Sequence, residues 1–311
     1  MKKSSNGRMA FLILLPIWWS ISMAVLAQEK PVAKSSCDRA CLTTFANSYL
    51  TSLVNRSTAE LKLSPTIKIT NNGEEGEPGT ALWKTTTGID YKEVFADPTN
   101  GQVAAFSAIK EGEIATLLAF RLKIVNRQIT EIENLIARDG AHPLFNPAAV
   151  VKDSRHYNEV LPSNQRPTRK QLIAAAEAYF DGIEASSPDN VQFHENCLRY
   201  ENGVRTTNNP EAGFNSGCAE GFSFFTYITE INNRHYPIVD EERGLVLGFV
   251  TFQVPGDAKY AIRNGERVEI PERARKPRTI YIAESFRLID GKIRDVEAYM
   301  KNLPYGTKIN W

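Results

Sequence analysis

The stretch Leu172-Ile-Ala-Ala-Ala-Glu-Ala-Tyr-Phe-Asp-Gly-Ile183 repeats a pattern met 130 positions earlier, Leu42-Thr-Thr-Phe-Ala-Asn-Ser-Tyr-Leu-Thr-Ser-Leu53. Leu42, Ala46, Tyr49, Leu50 and Leu53 fall on Leu172, Ala176, Tyr179, Phe180 and Ile183. That spacing is the apolar stripe of a helix lying on a core. The alignment runs without a gap over 42–73 and 172–203. It carries Asn72-Gly73 onto Asn202-Gly203, a turn signal that follows Ile67-Lys68-Ile69 in one copy and Cys197-Leu198-Arg199 in the other.

Further anchors keep the same order. Asp97-Pro-Thr-Asn-Gly101 matches Asp240-Glu-Glu-Arg-Gly244, and each reads as a hairpin turn before an apolar run. Phe120-Arg121-Leu122 matches Phe286-Arg287-Leu288, and Ile129-x-x-Ile132-Glu133 matches Ile293-x-x-Val296-Glu297. The growing offset falls in loops, around Cys218 and over Pro255–Arg278. The chain therefore reads as one unit present twice. In each unit a helix leads and strands cluster behind it, an α+β arrangement. The first lobe covers 37–138 and the second 171–311. Between them 139–170, with Pro143, Pro147, Pro162 and Pro167, reads as a linker packed on the surface. The end, Leu303-Pro-Tyr-Gly-Thr-Lys-Ile-Asn-Trp311, is aromatic enough to dock on a lobe.

Composition narrows the class. Of 311 residues 42% are hydrophobic and 23% charged, which excludes disorder and a multi-span membrane protein. With 37 Lys and Arg against 36 Asp and Glu, no field exists to steer nucleic acid. Lys2, Lys3 and Arg8 precede an apolar stretch that ends at Val25-Leu26-Ala27 before Gln28-Glu29-Lys30. Residues 1–27 read as a cleaved export signal, with an uncleaved anchor as the alternative. The expected location is secreted or periplasmic, with no membrane association after cleavage. An even number of cysteines in an exported chain points to disulfides, and three connectivities are open. The preferred one pairs Cys37 with Cys41 in a first helical turn and Cys197 with Cys218 across a polar loop. A zinc site is the rival, but the spacing lacks a nearby His pair, so no metal is expected.

The leading helix with its central Tyr, the strand before Asn-Gly, and Phe286-Arg-Leu-Ile-Asp-Gly-Lys-Ile293 together resemble the nuclear transport factor 2-like superfamily, SnoaL-like domains in particular, and exported proteins with two such units in tandem. The Cys197-Leu-Arg-Tyr-Glu-Asn-Gly203 run belongs to the same resemblance. It implies a cone in each lobe: a curved antiparallel sheet wrapped around helices, enclosing an apolar pocket. It implies that the lobes pair with each other, with further oligomerisation open. Members of the superfamily include isomerases, dehydratases, cyclases and proteins without catalysis, so the resemblance carries a fold and not a reaction.

Chemistry in such a pocket needs a base, an acid or oxyanion donor, and apolar walls that shift their pKa values. By strict alternation Ile129, Glu131, Glu133 and Leu135 share one face of a strand, as do Ile293, Asp295, Glu297 and Tyr299. A carboxylate there is a base if that face lines the cone; otherwise it pairs with Arg121 or Arg287, or faces solvent. Tyr49 and Tyr179 are oxyanion donors or core residues. Trp83, after the polar loop 72–79, caps the first pocket or packs in its core. The second copy is richer, with His194, Arg199 and Glu201 where the first has Ser64, Ile69 and Asn71, and with Arg234-His235. His142 and His156 read as incidental.

The expected catalytic set is His194, Glu201, His235 and Glu297. The expected substrate-binding set is Tyr179, Arg199, Arg234, Arg287 and Trp83. These residues suit cofactor-independent proton transfer on a small organic molecule in the second lobe, an isomerase, dehydratase or other lyase step. The alternative is a non-catalytic binding or scaffold protein with filled pockets, and the third a protein-interaction module using exposed sheet faces. A cavity of roughly 300 Å³ or more in the second lobe, with two or more convergent titratable groups, separates the first two. No nucleophile elbow, Gly-rich phosphate loop or His-Glu-x-x-His is present.

Overall fold

Asp38 and Thr168 start the two leading helices. In the computed structural model, which describes residues 1, 37–152, 157–263, 266–270, 272 and 275–311, the Asp38 side chain accepts from the Cys41 amide. Thr168 and Gln171 form a reciprocal capping box. Each satisfies amide donors that a helix start leaves open. Helix α1 (Arg39–Val54) and the helix α4 (Arg169–Ala185) bury the stripes expected of them, Tyr49 and Tyr179 included. The leader expected over residues 1–27, residue 1 aside, and His156 lie outside the described residues.

Behind α1 come β1 (Leu63–Asn71), β2 (Glu74–Glu75), α2 (Leu82–Thr85), β3 (Gly88–Asp97), β4 (Gln102–Glu111), β5 (Ile114–Val125) and β6 (Gln128–Ala137). Helix α3 (Pro147–Lys152) lies in the linker. Behind α4 come β7 (Phe193–Glu201), β8 (Val204–Arg205), β9 (Glu230–Asp240), β10 (Leu245–Val254), a small hairpin of β11 (Tyr260–Arg263) and β12 (Glu266–Glu269), then β13 (Arg278–Ile289) and β14 (Lys292–Leu303). The strand orders are the same in the two sheets: β2-β1-β6-β5-β4-β3 and β8-β7-β14-β13-β10-β9. The sheets are antiparallel except where β1 runs parallel to β6 and β7 to β14. Asn-Gly makes the expected turn in both copies, with positive φ at Asn72, Gly73, Asn202 and Gly203.

One irregularity decides which side chains face inward. The β5–β6 ladder slips between Lys123 and Ile124, and the β13–β14 ladder between Arg287 and Leu288. A bulge adds one residue and reverses the alternation beyond it. Ile129 and Ile293 therefore sit in the two interior cores, with Ile132 and Val296 next on the same side. Leu135 and Tyr299 belong instead to a third core between the two sheets. Strict alternation had placed Ile129 with Leu135 and Ile293 with Tyr299; the bulge separates them in both lobes.

The third core contains Phe106 stacked on Tyr299 at 4.5 Å, and Phe249 and Tyr281 opposite β4 and β6. Around it the contacts are reciprocal. Arg39 at the start of α1 holds Asp240 of the second lobe at 2.6 and 2.8 Å, and Arg169 at the start of α4 holds Asp97 of the first at 2.5 and 3.2 Å. The linker packs on the β7–β8 turn, where Asn146 N donates to Asn202 O at 2.8 Å. The tail packs on the β1–β2 turn, with Ile309 against Gly73 and Trp311 Nε1 donating to Thr70 at 2.7 Å. Each lobe's exit strand thus leads into a segment that covers the other lobe's Asn-Gly turn.

Disulfides join Cys37 to Cys41 and Cys197 to Cys218, with Cα atoms 5.2 and 6.0 Å apart. Among the described residues no helix is long and apolar enough to cross a membrane, and no cluster of three or more His, Cys, Asp or Glu is placed to hold a metal ion.

Candidate functional site

The two interiors share a plan and differ in filling. In the first lobe Tyr49 donates to Asn134 Oδ1 at 2.9 Å, and Asn134 donates to Asn71 at 3.0 Å. Trp83 from α2 is 2% exposed, lies edge-on to Tyr49 at 5.5 Å and donates to Ser52 at 3.0 Å. Ile69 and Leu118 complete the apolar packing. In this lobe 76–87 is all that joins β2 to β3, and it delivers an indole into the interior.

In the second lobe 206–229 joins β8 to β9, and Cys218 ties this longer segment to β7. Beneath it lies a cavity of about 210 Å³. Its apolar walls include Ile183, Phe225, Phe252, Ile280, Ile282 and Met300. Tyr179, Arg199, Glu201, Glu284, Tyr227 and His142 bring polar groups to it. At roughly 30 Å³ per water it holds the equivalent of about seven waters, below the 300 Å³ set out above. The required convergence of titratable groups is present.

Arg199 stands on β7 where the first lobe has Ile69, and is 6% exposed. Its Nε donates to Thr206 Oγ1 at 3.1 Å and lies 3.1 Å from Glu201 Oε1. Its Nη1 is buried without a hydrogen-bond partner. Gly221 packs so close that a Cβ there would meet Nη2 at 3.3 Å. Glu284 projects inward from β13 on the face shared by Ile282 and Phe286, where the first lobe has Leu118. Burial pushes its carboxyl up to about 8; Glu201 adds to the rise, and Arg199 and Tyr179 hold it back. Burial raises Tyr179, whose hydroxyl interacts with both Glu284 and Arg199. Burial works against the charge of Arg199, but Tyr179, Glu201 and Glu284 outweigh it and raise its pKa. At neutral pH the interior therefore holds the Arg199 cation beside a Glu284 carboxyl that keeps its proton, in contact with a phenol.

The linker supplies one wall. Asn202 donates to Leu144 O at 3.1 Å and Met300 O at 2.9 Å and accepts from Met300 N at 2.8 Å, so the turn clamps the linker against β14. His142 sits at the cavity as a result. Burial, with Arg278 nearby, lowers it to about 4, and Nδ1 accepts from the Leu144 amide at 3.2 Å. It is neutral at pH 7, with its proton on Nε2.

Helix against sheet, the shared strand order and an interior approached beneath the β8–β9 segment identify the architecture. Each lobe has the helix-and-sheet arrangement expected of a cone. A family model described as "Domain of unknown function (DUF8021)" matches residues 165–300, the second cone. No curated protein matches this chain. Among solved structures, the chain is similar to a SnoaL-like polyketide cyclase, so described, from Jannaschia sp. CCS1. That match has 12% identity and TM-score 0.30, covering 46% of this chain and 91% of that one. It is also similar to an LEH-like epoxide hydrolase of M. tuberculosis (16% identity, TM-score 0.27, covering 42% and 84%). A third is a phenazine biosynthesis-related protein of Pseudomonas aeruginosa (12%, 0.27, covering 43% and 76%).

Of the residues singled out in the sequence, Tyr179, Arg199 and Glu201 meet at the second cone's cavity. The others lie elsewhere. His194 is on β7 near solvent, its Nδ1 accepting from Asn196 N at 3.1 Å. Arg234 is held on the outside of α4 by Glu177, Asp181 and Glu184 at 2.6–2.8 Å. Arg287 reaches Glu159 at 3.2 Å. Glu297 follows the bulge and is turned to the side of Tyr299, away from the interior. Its counterpart Glu133 pairs with Arg121 at 2.5 Å, accepts from the Tyr281 hydroxyl and meets His235 Nε2 at 3.0 Å. His235 also stacks on Phe249 and so belongs to the contact between the cones. Trp83 fills the first interior.

Glu284 escaped the sequence reading, although its signal was there: a carboxyl within Ile280-x-Ile282-x-Glu284-x-Phe286, on the apolar face of a strand. His142 had no such signal, since only the Asn202 clamp brings the linker to the cavity.

Proposed function

We propose that this chain is an exported small-molecule-binding protein whose second cone performs cofactor-independent proton transfer of the isomerase, dehydratase or lyase kind. The observation that carries the reading is the convergence of Tyr179, Arg199, Glu201 and Glu284 on one apolar-walled cavity. A pKa of about 8 at Glu284 keeps a transferable proton in place at neutral pH, where acid catalysis is most effective. In an isomerisation the Glu201 carboxylate takes a proton from the carbon beside a substrate carbonyl. Glu284 gives its proton to the carbonyl oxygen, with Tyr179 and Arg199 donating to the same oxygen as charge develops. Glu201 then returns its proton to a different carbon while the enol oxygen gives its proton back to Glu284, which restores both groups with no change of redox state. The two disulfides support a location in an oxidising compartment, outside the cell or in a periplasm.

The cavity of about 210 Å³ favours a second reading, a cone that binds a small ligand without converting it. One experiment separates the two. One-ring aldehydes and ketones are screened by thermal shift, and the best binder is followed by NMR in D2O for exchange of hydrogens beside the carbonyl. Enzyme-dependent exchange that falls about 100-fold or more in Glu284→Gln and Glu201→Gln is expected. Binding without exchange selects the second reading, and exchange untouched by both substitutions removes these residues from the proposal.

A further inference from the structure

Arg199 presents an unusual combination: a fully enclosed guanidinium, engaged at Nε and without a hydrogen-bond partner at Nη1. Glu201 and Thr206 engage Nε at 3.1 Å each, whereas Nη1 is buried with no hydrogen-bond partner in a residue that lines the cavity. A buried donor on a cation is costly unless something accepts from it. Glu284, a further carboxyl of the cavity wall, does not supply the counter-charge, because burial holds its proton in place. A second guanidinium, that of Arg278, acts on His142 and Tyr227, which both line the cavity. Around these, Phe225, Phe252, Ile280, Ile282 and Met300 provide an apolar bed.

We propose that the second cone takes a small carboxylic acid with an apolar body, its carboxylate accepting from Arg199 Nη1 and its body lying among Phe225, Phe252, Ile280 and Ile282. This rests on the reading of the cavity as a ligand site, and names the ligand class for it. A planar carboxylate matches an unpartnered guanidinium nitrogen better than a carbonyl does, because charge assistance roughly doubles the hydrogen bond's strength. The bound anion takes the position of counter-ion that an ionised Glu284 would otherwise occupy. Binding therefore requires Glu284 in its neutral form. The other groups that line the cavity with Glu284 are Tyr179 from α4, Arg199 and Glu201 from β7, Glu220 and Tyr227 from the 206–229 segment and His142 from the linker, with Arg278 of β13 acting on the last two.

The test is calorimetric titration of the full chain with benzoate and with benzamide, which share a shape and differ in charge. Benzoate is expected to bind at least about 10-fold more tightly at pH 7, about 1.4 kcal/mol. Titrations in buffers of different ionisation heat are expected to show proton uptake on benzoate binding near pH 8. Arg199→Gln is expected to abolish the preference, and Arg199→Lys to restore part of it. Equal affinity for the two probes in the wild type overturns the carboxylate inference and leaves the ligand-site reading standing. Failure of both probes to bind at millimolar concentration removes the ligand site itself, and the inference with it. Should Arg199→Gln not fold, the wild-type pair and the proton uptake decide alone.

Discussion

The first and second cones are built on the same strand order and hold opposite interiors. At equivalent positions the first has Ile69, Asn71 and Leu118, and the second Arg199, Glu201 and Glu284, with Tyr49 and Tyr179 common to both. The connection after the Asn-Gly turn differs in the same sense. A short one drives Trp83 into the first cone, whereas a longer one, fastened by Cys218, arches over the second and leaves a cavity. Duplication thus let one copy be optimised for packing while the other kept polar groups at a cost in stability. A buried carboxyl and an unpartnered guanidinium nitrogen are the kind of local inconsistency that a functional site retains.

That comparison can be broken most severely by moving polarity into the packed copy. Leu118→Glu puts a carboxyl into an apolar core among Tyr49, Trp83 and Phe120, and should cost about 4 kcal/mol or more, seen as loss of the folded baseline in thermal denaturation. Tolerance of that change would mean the first cone is also hollow.

The reciprocal ion pairs offer a test of equality where the interiors offer one of difference. Asp97 and Asp240 are each 1% exposed at the side chain, and the arginines facing them 27% and 26%. Asp97→Asn and Asp240→Asn should therefore destabilise by similar amounts, about 2–3 kcal/mol each in urea unfolding, discounted for the partly exposed arginines. A large inequality would show that the pseudo-twofold contact is not energetically symmetric.

A smaller effect has a sign that the second cone alone can produce. The folded pKa of Glu284, about 8, lies above its ordinary 4.5, so between those values the unfolded chain releases a proton that the folded chain keeps. Stability is lost progressively as pH rises from about 4.5 to about 8. Glu284→Leu, which copies Leu118, should raise stability at pH 8 and have little effect near pH 4, measured as the midpoint of urea unfolding. A gain that does not depend on pH would assign the effect to packing instead.

How far the sequence foretold this depends on the kind of feature. Periodicity and Asn-Gly revealed the helices, the turns and the doubling, because those signals are local. Arg199 and Glu201 were legible as replacements of Ile69 and Asn71 between aligned copies, and Tyr179 as the Tyr shared by the two helical stripes. The facing of Glu133 and Glu297 was not, since one bulged residue before each reverses the alternation and no residue type marks it. His235, an acid–base candidate by residue type, meets Glu133 at the contact between the cones, because the same reversal turns Glu133 toward it. Arg39 and Arg169 went unnoticed because their acids lie 201 and 72 residues away, a separation no spacing rule spans.

The difference between the two interiors can be read most directly from the Glu284 carboxyl by carbon-13 NMR titration of the glutamate side chains, assigned by comparison with Glu284→Gln. A midpoint near 8 is predicted, with the resonance still that of a protonated acid at pH 6. A midpoint near the ordinary 4.5 would mean that the carboxyl is solvated, and that the second cone does not enclose the polar group that sets it apart from the first.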